Sequence, residues 1–298
     1  MSMRANPYTL LTLTTLFWAG NAIAGKLAAG DISPVALTFA RWFFACIAFY
    51  FFARPHLKAD WPAIRRHLPL LSTLGALGFS AFNIGFYWAL QYTSAINVTI
   101  EQSAMPVLII LANYLFFRMR ITALQGLGVL LTITGVLVTA TRGSPLSIFE
   151  TGVNRGDAMM ILCVLLYGSY TVALRFRPDI HWTSLMFVLS LSATLFALPF
   201  YAVEIVQDGF RAPGPEAWGI IAYTAIFPSM LSQLFFIRGV AMLGANRAGL
   251  FINLVPIFGA LLAVSILGEN FRAYHFAGLA LVLGGIAMAE RFGEHRRA

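Results

Sequence analysis

Residues 89–117 read ALQYTSAINVTIEQSAMPVLIILANYLFF, and residues 124–138 continue as LQGLGVLLTITGVLV. The same pattern returns 150 positions later, as GVAMLGANRAGLFINLVPIFGALLAVSIL at 239–267 and HFAGLALVLGGIAM at 275–288. An internal repeat of this length indicates that the chain is built from two structurally related halves.

The repeat needs no gap, and identical residues recur along it. Besides Pro106 and Pro256, the matched pairs are Ala95 and Ala245, Leu111 and Leu261, Gly128 and Gly278, Leu131 and Leu281, and Gly135 and Gly285. Both copies are apolar, and each carries its proline deep inside an apolar segment. We therefore expect two domains, a first five-helix repeat at 1–145 and a second at 146–298.

The composition indicates an all-α integral membrane protein surrounded by a lipid bilayer. Of its 298 residues 59% are hydrophobic and only 11% are charged, whereas about 25% are charged in a typical soluble domain. Apolar runs of about 20 residues, long enough to cross a bilayer as helices, recur throughout. They predict ten spans, near 8–28, 33–53, 70–90, 94–117, 122–141, 156–176, 184–206, 217–237, 246–267 and 273–290.

The basic residues lie in the short turns between the apolar runs and set the orientation of the spans. With the N-terminus inside, 14 of the 20 Lys and Arg residues lie inside, five lie outside, and Arg41 falls within a span. An excess of Lys and Arg marks the cytoplasmic side, so both termini are expected to be cytoplasmic. The net charge of +8 thus reflects membrane topology, and we expect no nucleic-acid partner.

Five spans per half is an odd number, so the second half enters the membrane from the opposite side. Two similar halves of opposite orientation form an inverted repeat, which suits alternating access. This arrangement predicts a transporter with a central cavity between the halves.

The repeated prolines identify candidate kinks near the middle of the membrane. Pro106 and Pro256 lack an N–H group, so the carbonyls of Gln102 and Ile252 lose their helical partners. Such carbonyls in a membrane need protein groups or cavity water. The kinks could form part of a substrate site or be absorbed by packing alone.

Glu101 is the only acidic residue that the sequence places well within an apolar span. An ionisable group in a membrane is a candidate functional group. It could bind a substrate amine, carry a coupled proton or pair with a basic side chain. Alternatively, it lies near the outer end of its span and reaches water.

Polar and aromatic side chains at related places in the repeat complete the predicted cavity lining. Asn83 falls on Gln233, so these two amides are expected to face one another. The other candidates are Trp18, Asn21, Tyr87, Gln102, Tyr170 and Asn253. Such a lining has amides, hydroxyls and rings but little charge, and suits a small amphipathic solute. Each residue could instead make an interhelical hydrogen bond of about 1 kcal/mol.

Several functions are excluded or disfavoured by missing motifs. The sequence has no HExxH, GxSxG or phosphate-loop motif, so we expect no enzyme activity and no ATP-driven pumping. Cys46 and Cys163 lie in apolar runs, and the five histidines lie near span ends, so we expect no metal and no cofactor. The glycine stripes in the fifth and tenth spans indicate close helix packing, either within the chain or in a homodimer.

The opening residues resemble a known family. Trp18-Ala19-Gly20-Asn21, followed by Lys26, Ser33-Pro34 and Arg41, resembles the start of EamA-type proteins of the drug/metabolite transporter superfamily. The stretches ending in Pro106 and Pro256 and the glycine-rich spans resemble the rest of that pattern. Within the superfamily the chain is similar to YddG-type exporters of aromatic and other amino acids.

The resemblance implies ten helices in an inverted 5+5 arrangement in the bacterial cytoplasmic (inner) membrane. It also implies secondary transport, which moves a small solute without ATP, and amino-acid export is the function we expect. The alternatives are an exporter of another metabolite, such as a nucleoside, polyamine or drug, and a pore or a non-transporting membrane scaffold.

Overall fold

The protein is built almost wholly of helices. The computed structural model describes residues 6–118, 120–144, 154–210 and 212–291, and within those ranges it has no β-strand. The helices are α1 (Pro7–Leu27), α2 (Pro34–Arg66), α3 (Leu68–Leu74), α4 (Phe82–Tyr92), α5 (Ala95–Gln102), α6 (Met105–Phe117), α7 (Ala123–Ala140), α8 (Arg155–Ala173), α9 (Trp182–Asp208), α10 (Pro215–Thr224), α11 (Ser232–Leu243), α12 (Ala245–Ile252), α13 (Val255–Leu267) and α14 (Ala273–Arg291). The predicted domain boundary, between residues 145 and 146, lies outside the described ranges.

Short segments of other helix types join some of these helices. The π-helical segment Gly75–Ala81 connects α3 to α4, and a second one, Ala225–Leu231, connects α10 to α11. A 3-10 turn, Leu174–Phe176, follows α8. Because π-helical turns are rare and are frequently found at functional sites, the residues around these two segments are candidates for a functional site.

Nine helical segments of the described chain are long and apolar enough to cross a membrane. They are Pro34–Arg66, Leu68–Tyr92, Ala95–Phe117, Ala123–Ala140, Arg155–Phe176, Trp182–Asp208, Pro215–Leu243, Arg247–Leu267 and Ala273–Arg291. Helix α1 is not among them, since its 21 residues include four threonines, Asn21 and Lys26. The helical and apolar character expected from the composition is therefore present, and a tenth span through α1 is part of the proposal below.

Helix α2 is longer than a bilayer span requires. The second predicted span, near 33–53, ends too early, because the helix runs for 33 residues and ends at Arg66. The extension is held by the start of α9. The ring of His56 stacks on His181 with centroids 3.6 Å apart, and the His181 backbone N–H donates to Asp60 Oδ2 at 3.2 Å.

Two membrane-spanning segments are broken in the middle, at residues 103–104 and 253–254. Pro106 and Pro256 each occupy the second position of the helix that follows the break. A proline is well tolerated there, because the N–H groups of the first helical turn have no intrahelical partner. Each break is a turn closed by hydrogen bonds three residues apart, from the Ser103 and Ala104 N–H groups in the first and from the Asn253 and Leu254 N–H groups in the second.

The bounds of the helices repeat at the interval of 150 residues seen in the sequence. The π-helical segments start at residues 75 and 225, and the broken spans start at 95 and 245. Helices α7 and α14 start at 123 and 273. Related sequences in this chain thus adopt the same local structures.

Replacing Pro256 with alanine should lower transport more than it lowers the amount of folded protein in the membrane. Alanine restores an N–H group, so the carbonyl of Ile252 can regain its helical partner and the break can close. The measurement is uptake per folded molecule in proteoliposomes, compared with that of Pro199→Ala in α9. Unchanged uptake per folded molecule would contradict a role for the break in transport.

Helices α7 and α14 pack against each other through glycines. A Cβ atom on Gly128 would lie 2.5 Å from the carbonyl oxygen of Gly285, and one on Gly135 would lie 2.8 Å from that of Gly278. Only glycine allows two backbones to approach so closely. The glycine stripes therefore meet within one chain, and a homodimer would use another surface.

Candidate functional site

Four helical segments converge on the guanidinium group of Arg41. Arg41 lies on α2, Asn21 on α1, Asn83 and Tyr87 on α4, and Ser229 in the second π-helical segment. Arg41 is seven positions from the start of α2, so it is about 10 Å from that end of the helix. Its side chain is only 5% exposed, so the charge lies among the packed helices.

Neutral side chains hold this guanidinium group on two of its three nitrogens. Arg41 Nε donates to Ser229 Oγ at 2.7 Å, and Nη1 lies 2.9 Å from Asn21 Oδ1, 2.7 Å from Asn83 Oδ1 and 2.6 Å from the Tyr87 hydroxyl. The Tyr87 hydroxyl also donates to Asn21 Oδ1 at 2.8 Å. Nη2 makes no hydrogen bond to any residue that the structure describes.

The Arg41 cluster, which comprises Arg41, Asn21, Asn83, Tyr87 and Ser229, has no compensating negative charge. Within the described ranges no carboxylate bonds to Arg41. A charge inside a membrane-spanning segment costs several kcal/mol unless an opposite charge or polar groups compensate for it. Four neutral oxygens and the ring of Trp42, whose centroid lies 5.0 Å from Arg41 Cζ, compensate for the charge in part. Nη2 remains a donor that an anion could engage.

Both ends of the Asn83 amide are occupied. Its oxygen accepts from Arg41, and its Nδ2 donates to the backbone carbonyl of Phe79 at 2.5 Å. Asn83 makes no hydrogen bond to Gln233, which is half-buried. The structure therefore brings Asn83 to Arg41, whereas the sequence expectation joins it to Gln233.

Two of the predicted aromatic residues lie against other rings. Trp18 is half-buried and packs on Phe236 with ring centroids 5.5 Å apart. Tyr170 is buried and lies 5.7 Å from the ring of Phe79. Neither residue bonds to Arg41. Tyr170 is nevertheless close to the cluster, because the Phe79 ring that it contacts belongs to the residue whose carbonyl accepts from Asn83.

Gln102 and Asn253 lie at the two helix breaks. Gln102 is the last residue of α5, and Asn253 is the first residue after α12. Both are half-buried, and Asn253 lies close enough to Glu290 for their side chains to interact. These two predicted residues are therefore not part of the Arg41 cluster.

Glu101 lies in a second polar cluster, beside Asp157. Both residues are 1% exposed, and their carboxyl groups are close enough to interact. The sequence singles out Glu101 as the only acid well inside a span, and the structure adds a second buried acid, Asp157, in the first turn of α8. Glu101 also does not reach water in this conformation.

A chain of hydrogen bonds extends from Asp157 to α14. Asn97 Nδ2 lies 3.4 Å from Asp157 Oδ1 and 3.2 Å from Thr93 Oγ1. His275 Nε2 lies 3.1 Å from Asn97 Oδ1, and His275 Nδ1 accepts from the Arg272 backbone N–H at 3.0 Å. Since Nδ1 is an acceptor, Nε2 carries the proton and the Asn97 amide points its N–H groups at Asp157.

An open cavity of about 630 Å³ lies between the start of α2, the end of α9 and α10. Its lining includes the acidic residues Asp31, Glu204 and Asp208. Ser33, which caps α2, donates to Glu204 Oε2 at 2.6 Å. None of the residues predicted to line a cavity lines this one.

The residues that sequence reasoning missed have weak signals. Arg41 is visible as a cation within a span, but only the structure shows that it organises the predicted amides. Asp157 is the third residue after Asn154, at the beginning of an apolar run, and so resembles a helix cap. Ser229 and His275 carry no signal in the sequence, because serine and histidine occur in many roles.

The chain is similar to known transporters along its whole length. A model of the EamA-like transporter family matches residues 6–141 and again residues 154–290. The uncharacterized transporter YyaM of Bacillus subtilis is 26% identical over 95% of this chain and 93% of its own length. A probable terminal-alkyne amino-acid exporter of Streptantibioticus cattleyicolor is 24% identical over 97% of this chain and 95% of its own length.

One solved crystal structure shares the fold. It is 17% identical in sequence and superposes with a TM-score of 0.62, covering 99% of this chain and 100% of the other. At this identity the likeness concerns the fold alone.

Proposed function

Because this chain belongs to the EamA-like transporter family, we propose that it exports amino acids across the cytoplasmic membrane of a bacterium without ATP. The similarity to a probable amino-acid exporter supports the substrate class. Export by alternating access would place the substrate between the two halves of the chain.

The observation that carries this proposal is the buried positive charge of Arg41, which has no carboxylate among its hydrogen-bond partners in the described residues. Every amino acid has a carboxylate, and the N–H groups of an Arg side chain donate strong, charge-assisted hydrogen bonds to carboxylates. The neutral partners on Nε and Nη1 hold the guanidinium in one orientation and leave Nη2 free. A carboxylate bound there would supply the missing negative charge.

Alternating access is supported by the symmetry of the contacts. Gly128 meets Gly285 and Gly135 meets Gly278. At a shift of 150 residues, Gly128 is equivalent to Gly278 and Gly135 to Gly285. Gly128 therefore contacts the repeat equivalent of Gly135, and Gly135 contacts the repeat equivalent of Gly128. This crossing is what a two-fold axis between inverted halves produces, and it supports ten spans with α1 as the first.

The test is counterflow in liposomes that contain the purified protein. The liposomes are loaded with unlabelled phenylalanine or threonine, and traces of the labelled amino acid are added outside. We expect saturable accumulation that requires the internal amino acid. No accumulation by folded protein would overturn amino-acid export.

A second candidate substrate is an organic acid without an amine. None of the hydrogen-bond partners of Arg41 in the described chain is acidic, so this cluster offers no carboxylate that would pair with an ammonium. Competition distinguishes the two substrates. Stronger inhibition of counterflow by the α-hydroxy acid than by the amino acid would favour the organic acid.

A further inference from the structure

The carboxyl groups of Glu101 and Asp157 form a buried pair whose two members have different surroundings. Asp157 accepts from Asn97, whereas both carboxyl oxygens of Glu101 are buried without a hydrogen-bond partner that meets the usual geometry. An ionised carboxylate without partners in an apolar interior is strongly disfavoured. Two neighbouring carboxyls also cannot both ionise without repulsion.

Several of the charged groups near Glu101 and Asp157 are engaged with other partners. The elements packed against α5 carry further titratable and charged groups. They include Lys26 on α1, Tyr87 and Tyr92 on α4, Arg142 after α7, Arg155, Asp157, Tyr167 and Tyr170 on α8, Glu269 and Arg272 before α14, and Tyr274, His275 and Glu290 on α14. Lys26 is bonded to the carbonyls of Leu90 and Thr93, each at 2.7 Å. Glu269 accepts from the N–H groups of Ala95 and Ile96 at 2.8 and 3.1 Å. Arg142 interacts electrostatically with Asp157.

We propose that Glu101 and Asp157 share one proton, and that release of this proton couples transport to a proton gradient. The inference rests on the proposed function, since it names the ion that drives the same transport cycle. Asp157, which accepts from Asn97 Nδ2, is the ionised member in this conformation. Glu101 is the protonated member, and it gives up its proton when the cluster opens to water.

The position of the pair links it to both the helix break and the Arg41 cluster. Glu101 lies two residues before the break at 103–104, so movement at the break would change its access to water. Helix α4 carries Asn83 and Tyr87 and ends beside Thr93, which accepts from Asn97 at 3.2 Å. A shift of α4 on substrate binding would therefore change the hydrogen bonds that link Thr93, Asn97 and Asp157.

The test compares gradient-driven uptake with counterflow in proteoliposomes. In the wild-type protein we expect a pH gradient to raise amino-acid accumulation several-fold above that at equal pH. Glu101→Gln should keep counterflow at equal pH and lose the response to the gradient, because an amide cannot release a proton. Asp157→Asn should also lose the response, and Glu216→Gln, an exposed acid at the start of α10, should behave as wild type.

The outcomes separate the two proposals. Counterflow without any gradient response in the wild type, or a full response in Glu101→Gln, would overturn proton coupling and leave amino-acid export standing. If counterflow itself fails, infrared spectroscopy at neutral pH still tests the shared proton. We expect a protonated carboxyl C=O band that disappears in Glu101→Gln and shifts in Asp157→Asn, and absence of that band in the wild type would overturn the proposal.

Discussion

Replacing Arg41 with glutamine should reduce amino-acid counterflow about thirtyfold or more, which corresponds to ~2 kcal/mol of lost substrate binding. The reason is that Arg41 is the cation of its cluster and that its hydrogen-bond partners are neutral. Arg41→Lys should recover only part of the activity, because an ammonium cannot reproduce the planar fork of donors. The measurement is the initial rate of counterflow per folded molecule, and the amount of folded protein is determined by size-exclusion chromatography.

A purely structural role of Arg41 predicts a different result. The wild-type protein should be inhibited far more by an amino acid than by its carboxamide, which lacks the negative charge. Arg41→Gln should lose this discrimination if Arg41 binds the carboxylate. If the variant keeps the discrimination and loses only stability, Arg41 holds the helices together and does not bind substrate. Arg175→Gln is the matched control, since Arg175 is exposed and bonds to Asn113.

Replacing Gly285 with alanine should destabilise the folded protein by about 1–3 kcal/mol. The added Cβ atom would contact Thr132 Oγ1 and lie 2.5 Å from the carbonyl oxygen of Gly128. Because a backbone carbonyl cannot turn away like a side chain, α7 and α14 would have to separate. The measurement is the temperature at which half of the purified protein is lost from the monodisperse peak after heating.

Gly284→Ala is the matched control in the same helix. A Cβ atom on Gly284 would meet no atom within 4 Å, and alanine is favoured over glycine in a helix by about 0.5–1 kcal/mol. This variant should therefore be as stable as the wild type or more stable. Equal melting of the two variants would show that the glycine contact between α7 and α14 does not limit stability.

The family was predictable from short stretches of sequence, and the match of the family model confirms that prediction. The helical membrane class was predictable for a related reason. A bilayer demands about 20 apolar residues for each span, and this demand is met locally along the chain. The end of α2 was the exception, because the predicted second span stops near residue 53, whereas the helix continues to Arg66 and its His56 stacks on His181 in another part of the chain.

The candidate site was predictable only in part. Asn21, Asn83 and Tyr87 were selected from their positions in the repeat, and the structure brings all three to Arg41. The sequence indicated a cavity lining with little charge, whereas an arginine lies at the centre of this cluster. Charge pairing depends on which helix faces meet, and hydrophobic patterns do not specify that.

The sequence by itself determined that this is a helical membrane protein of a transporter family, with a repeat of 150 residues and two prolines within spans. These properties belong to single segments, and the bilayer acts on each segment separately. Only the tertiary structure decided which groups stand together. Arg41 and Ser229 are 188 positions apart and share a hydrogen bond of 2.7 Å, and Asp157 reaches Glu101 only because α8 packs against α5. Such contacts depend on how helices rotate and cross, and packing of the whole chain decides that.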